Sequence, residues 1–174
     1  MTPLLDAPRP DADGNPGPTW FTAALRLAAR LFAGLFAGFL LGVLVLESSL
    51  RSVDAPTYAQ VRAVELDRLD VLASVTLLPA LFLCAGLAVA GYRSGRSWLP
   101  AAVAATLLAA TALISFSVNL PINADQADWA AGRLPADWSE IRDRWQAAHL
   151  VRTVTAVAAF GVLLLPRRPH TRGH

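Results

Sequence analysis

Residues 137–152, DWSEIRDRWQAAHLVR, gather the side chains best suited to chemistry in this chain. Trp138, Arg142, Trp145, His149 and Arg152 follow one another at spacings of 4, 3, 4 and 3. On an α-helix those intervals place all five on one stripe. A stripe of this kind is ordinarily apolar and faces a core, whereas this one carries two guanidiniums, an imidazole and two indoles. His149 has the ordinary pKa nearest neutrality and can act as a general base. Arg142 and Arg152 can stabilise an anionic oxygen formed in a reaction. Trp138 and Trp145 offer planar faces for an aromatic substrate.

Further polar residues fall at the same level. Glu47 closes an apolar run, and an ion pair with Arg152 would settle two awkward charges together. The alternative is a Glu47 that marks a helix end in water and an Arg152 that snorkels to the interface. Asn119 and Asn123 flank Pro121 and are read either as binding groups or as cap and turn residues.

Other chemistries lack their residues. His149 is the one histidine outside the C-terminal tail, which holds His170 and His174, so a two-histidine iron or zinc site is short of ligands. Cys84 is the sole cysteine, which excludes a disulfide framework. Neither a G-x-G-x-x-G nor a G-x-S-x-G pattern occurs. The reading is therefore of a chain with no metal and no cofactor.

The elements that must position these residues are apolar. The 174 residues are 55% hydrophobic and 16% charged, against about 25% charged in an ordinary soluble domain. Four stretches, 31–46, 71–92, 99–120 and 147–165, are nearly free of charge. About 20 apolar residues cross a hydrocarbon core of roughly 30 Å, and a helix there satisfies its own backbone. The expected fold is all-α, a bundle of four transmembrane helices with two outer loops carrying short helices. Asp54 before Pro56 is expected to cap one of these, with Tyr58, Val61 and Val64 on one side. Residues 1–18, with five prolines, read as a disordered tail, 19–166 as the membrane domain and 167–174 as a basic tail. Arg152 then lies near the outer edge of the hydrocarbon, where a cation faces the bundle interior, a partner or water. Gly34, Gly38 and Gly42 form a small-residue ridge, used for packing within the bundle or for a homo-oligomer.

Orientation follows from arginine, since all 15 basic residues are Arg. The side holding both termini and the 93–98 turn carries eight Arg against three acids; the other carries seven Arg and ten acids. Both termini are expected in the cytoplasm of a multi-pass cell-membrane protein. The basic tails then serve topology, with membrane lipid and no nucleic acid as partner.

Three motifs resemble the anthrone-oxygenase-like family of small membrane proteins: VNLPIN (118–123), LPADW (134–138) and RDRWQAAHLVR (142–152). VLES (45–48), followed by a tyrosine-containing loop, fits as well. The resemblance covers roughly residues 25–165 and implies a four-helix membrane fold. Fungal members are associated with oxidising anthrones to anthraquinones without a known metal or flavin. The family's polar pattern matches Asn119, Asn123, Trp138, Arg142, Trp145, His149 and Arg152. The segment TYAQVRAVELDRL (57–69) lacks the histidine that some relatives carry, so no two-histidine mechanism is implied. Two readings stay open: a cofactor-free oxygenase of a lipophilic aromatic or polyketide-type molecule, with a polar site near the outer face, or a non-catalytic protein binding a lipid, a hydrophobic small molecule or a protein partner.

Overall fold

The computed structural model describes residues 20–166. Helix α1 spans Trp20–Ser49, α2 Ala55–Arg93, α3 Leu99–Ile114, α4 Leu120–Gln126 and α5 Trp138–Leu164. A 3₁₀ turn at Leu50–Ser52 joins α1 to α2, and a second at Trp129–Ala131 follows α4. Between α3 and α4 the chain widens into a π-turn at Ser115–Asn119, and Pro121 opens α4. Proline has no N–H to continue the i→i−4 ladder, which accounts for an irregular turn just ahead of it. The tails read from sequence at 1–18 and 167–174 lie outside the described residues.

Among the described residues, four helical stretches are long and apolar enough to cross a membrane: Trp20–Ser52, Ala55–Arg93, Leu99–Ala131 and Trp138–Leu164. They close into a ring in which α1 and α3 each pack against both α2 and α5. The core where they meet is built largely from alanine, with Ala29, Ala33, Ala37, Ala80, Ala104, Ala156 and Ala159 around Phe36, Leu40 and Leu108. Larger apolar side chains such as Leu35, Phe82, Leu113 and Val154 point outward. That inversion suits a lipid solvent, where apolar burial no longer drives association and small residues let backbones approach closely. Gly34 takes part in it: a Cβ there would meet the Phe160 ring at 3.0 Å, whereas Gly38 and Gly42 face open space. The glycine ridge is thus not one surface.

The first outer loop departs from expectation. Asp54 does cap a helix, its Oδ1 accepting from the Thr57 amide at 3.2 Å with proline in the first turn. The helix it starts is α2 itself, with 39 residues running to Arg93. That length is about 58 Å at 1.5 Å per residue, nearly twice a hydrocarbon core. The charges at Arg62, Glu65, Asp67, Arg68 and Asp70 break the apolar run without breaking the helix. Val64, expected on one side with Tyr58 and Val61, is exposed while Tyr58 is buried.

Candidate functional site

The first turns of α2 and α5, the end of α1 and the whole of α4 meet at one end of the bundle and enclose a buried polar cluster. Its centre is Arg62. The guanidinium donates from Nη1 to Glu47 Oε1 at 3.1 Å and from Nη2 to Asn123 Oδ1 at 3.0 Å. Gln126 Oε1 accepts from Nε at 2.9 Å and from Nη2 at 2.7 Å. Glu65, one turn along α2, forms a second ion pair with Arg62. Glu47 Oε2 accepts from Tyr58 Oη at 3.2 Å and Gln146 Nε2 at 2.9 Å. Buried polar groups must be paired in this way, because a charge left alone out of water costs several kcal/mol or more.

This arrangement corrects one expectation from sequence. The partner of Glu47 is Arg62 and not Arg152. Arg152 lies further along α5, where its Nη1 donates to Ser115 Oγ at 3.2 Å, in the π-turn. Neither polar asparagine is a loop residue. Asn119 sits in the π-turn and donates to the Trp145 carbonyl at 3.2 Å. Asn123, in α4, accepts from Trp145 Nε1 at 2.7 Å and donates to Asp70 at 3.1 Å.

The α5 stripe is buried from Arg142 to Arg152 and half-buried at Trp138, but its members do not converge on one space. Trp138 packs on Tyr58, ring centroids 5.5 Å apart, and lies under the Arg142 guanidinium at 5.0 Å. Arg142 also binds Asp143 at 3.0 Å. These two residues lie on the Tyr58 side of the cluster. Trp145 stacks on His149 at 4.9 Å with planes 6° apart, and the Arg62 guanidinium lies 4.4 Å from its ring. An indole so covered and 3% exposed leaves no open face for a planar ligand. His149 Nε2 lies 3.0 Å from the Leu40 carbonyl. A carbonyl only accepts, so Nε2 carries the proton and Nδ1 keeps its lone pair.

Two spaces border the cluster. One is a cleft of about 20 Å³ between α1, α2, α4 and α5, where Arg152, Glu65, Asp70 and Trp145 meet the apolar walls of Phe39 and Leu69. The other is a groove of about 320 Å³ between α1 and α5, lined by Glu47, Gln146 and His149 on the polar side and Leu44 and Leu150 on the apolar one. Several buried atoms have no hydrogen-bond partner. They include Glu65 Oε1 and Arg152 Nε beside the cleft and His149 Nδ1 beside the groove. Such atoms are uncommon in folded proteins and mark places where a ligand or water completes the bonding.

The family model for anthrone oxygenase matches residues 71–162. The chain belongs to the anthrone oxygenase family. No curated protein and no solved structure gives a match. Within this anthrone oxygenase family member the matched stretch contains α3, α4 and nearly all of α5, including Asn119, Asn123, Trp145, His149 and Arg152. Glu47, Tyr58, Arg62, Glu65 and Asp70 precede it, so half of the polar cluster comes from chain outside the match. The sequence reading passed over Tyr58, Arg62, Glu65, Asp70, Gln126 and Gln146. One signal for them exists: Tyr58, Arg62, Glu65 and Leu69 repeat the 4, 3, 4 spacing of the α5 stripe, which sets them on one face of α2.

Proposed function

We propose that this membrane protein oxidises a lipophilic aromatic bearing an acidic methylene, using O₂, at the cleft between α1, α2 and α5. The observation that carries the reading is that Glu65 and Arg152 line the same cleft and each keeps a buried polar atom, Oε1 and Nε, without a partner. A buried acceptor and a buried donor, both without partners, line one small cleft with apolar walls. The cleft admits only the oxygen-bearing edge of such a molecule, whose hydrocarbon would lie outside it, along the helix faces that carry Phe39, Leu66 and Leu69.

The chemistry balances with the chain's own groups. Glu65 takes a proton from the methylene carbon, and the enolate oxygen is held by Arg152. The carbanion passes electrons to O₂, and a carbon–oxygen bond forms to give a peroxide. Protonation of the distal oxygen, removal of the second methylene hydrogen and cleavage of the O–O bond release water and leave a carbonyl. One methylene and one O₂ thus become one ketone and one water. Of the residues first singled out for this work, Arg152 keeps its part; Trp145 forms a wall of the cleft with His149 stacked on it, and Arg142 and Trp138 pack beside Tyr58, away from the cleft lining.

The test is the purified protein with an anthrone under O₂, following quinone absorbance and oxygen uptake. Quinone and consumed O₂ are expected in equal amounts. Glu65→Gln and Arg152→Gln are expected to lower turnover by about 10²-fold or more, while His149→Gln stays within about tenfold of the parent. Absence of turnover in the unmodified protein overturns the enzyme reading. Loss in His149→Gln alone moves the base to the α1–α5 groove. A second reading, of a non-catalytic polar lock that ties α2 and α4 to the bundle and binds a lipid or small molecule, is favoured by how fully Arg62 is satisfied within the cluster. It predicts that the same variants lower stability and change no reaction.

A further inference from the structure

The opposite end of the bundle holds a second cleft, formed where the start of α1, the α2–α3 turn and the end of α5 come together. Arg26, Arg30 and Ser97 line it beside Leu87, Ala101 and Leu163, and its volume is about 40 Å³. Among the described residues, none that lines it is acidic. We propose that this cleft binds the phosphate headgroup of an anionic phospholipid.

Two features of the site agree in sign, and a third suits acyl chains. Two guanidiniums share one small space; Arg30 spends its Nε on the Leu163 carbonyl at 2.9 Å, in the last turns of α5, and so is held in place. Helix α3 begins at the same cleft, at Leu99, with Trp98 in the cap position making no side-chain cap and no acid in the first turn. The uncapped amides of a 16-residue helix place partial positive charge where Ala101 meets the cleft. The lower wall is apolar, and Leu27 and Leu31 are exposed along the adjoining face of α1.

The depth of the cleft selects a lipid over a soluble anion. Trp20, Phe21, Tyr92 and Trp98 are exposed at this end, with Tyr92 and Trp98 in edge contact at 5.6 Å. Aromatics so placed sit at the headgroup level of a bilayer. A basic pocket between helices at that level meets phosphate attached to acyl chains, which lie along the apolar face below. The cleft is too small for more than the headgroup, so the chains remain on the surface.

Native mass spectrometry of the full chain, released from detergent with equal phosphatidylglycerol and phosphatidylcholine, tests this. Preferential retention of phosphatidylglycerol is expected. Arg26→Gln and Arg30→Gln should each weaken retention about fivefold, the worth of one arginine at a charged lipid surface. Because Arg30 also braces α5, Arg30→Lys serves as the charge-keeping variant and should retain most of the preference. Equal retention of the two lipids overturns the proposal, as does a preference that survives the Arg26→Gln/Arg30→Gln double variant. A thermal shift with inorganic phosphate equal to that with phosphatidylglycerol replaces the lipid by a soluble anion and overturns it too.

Discussion

Arg62 Nη1 lies 3.1 Å from Glu47 Oε1, and the side chains are 3% and 1% exposed. The bond joins the first turns of α2 to the end of α1 in a bundle whose apolar core is largely alanine, and it makes a charged residue the keystone of a membrane protein's polar end. Removing one partner of a buried pair leaves the other charge uncompensated. Arg62→Met, which strands both Glu47 and Glu65, is therefore expected to destabilise by about 3–5 kcal/mol, and Glu47→Gln by less, because Glu65 still pairs with Arg62. The double variant Glu47→Gln/Arg62→Met should recover part of the loss. Denaturant or mixed-micelle unfolding followed by circular dichroism measures both, and single variants as stable as the parent would refute the keystone role.

Gly34 and its neighbours separate packing from surface on the same helix. Gly34→Val drives a branched side chain into the Phe160 ring, where even a Cβ would lie at 3.0 Å, and is expected to cost about 1–3 kcal/mol. Gly38→Ala and Gly42→Ala meet nothing within 4 Å and should be neutral or stabilising, by up to about 1 kcal/mol, through helix propensity. Thermal unfolding of the three variants gives the comparison. If Gly38→Ala or Gly42→Ala proves the more damaging, those glycines are at a contact between chains.

Asp54 sets the pH dependence of the α2 start. Hydrogen bonds from the Thr57 side chain and then the Thr57 amide hold its carboxyl below the usual value of 3.8. A depressed folded-state pKa contributes stability that is fully present above the ordinary value and is lost as the pH falls through the depressed one. Fraying of the first turn of α2 is thus expected only below about pH 4. Amide exchange at Thr57, corrected for its intrinsic pH dependence, should quicken there. In Asp54→Asn, which keeps the acceptor without the titration, the profile should be flat.

The polar cluster was half legible from the chain. The α5 stripe is periodic within 15 residues, Trp138 to Arg152, so one helix suffices to see it. Arg62 is different. Apart from Glu65 on the same helix, its partners lie 15, 61 and 64 residues away at Glu47, Asn123 and Gln126, and the spacing that sets Arg62 on one face of α2 does not state that it will face them. The pairing expected for Glu47 failed for the same reason, since Arg152 matches it in depth and in charge but points toward Ser115.

Composition and periodicity by themselves determined that this chain makes four apolar helices and that the fourth carries an unusual polar face. Both follow from short-range rules, the length needed to span hydrocarbon and the 3.6-residue turn. Only the tertiary structure decided that α2 continues unbroken through five charged residues, that Arg62 gathers an acid and two amides from two other helices, and that Glu65 and Arg152 share a cleft while His149 does not. Those outcomes depend on which faces oppose one another once the helices pack. A buried charge is tolerated wherever packing delivers enough partners, and that is a property of the assembled bundle.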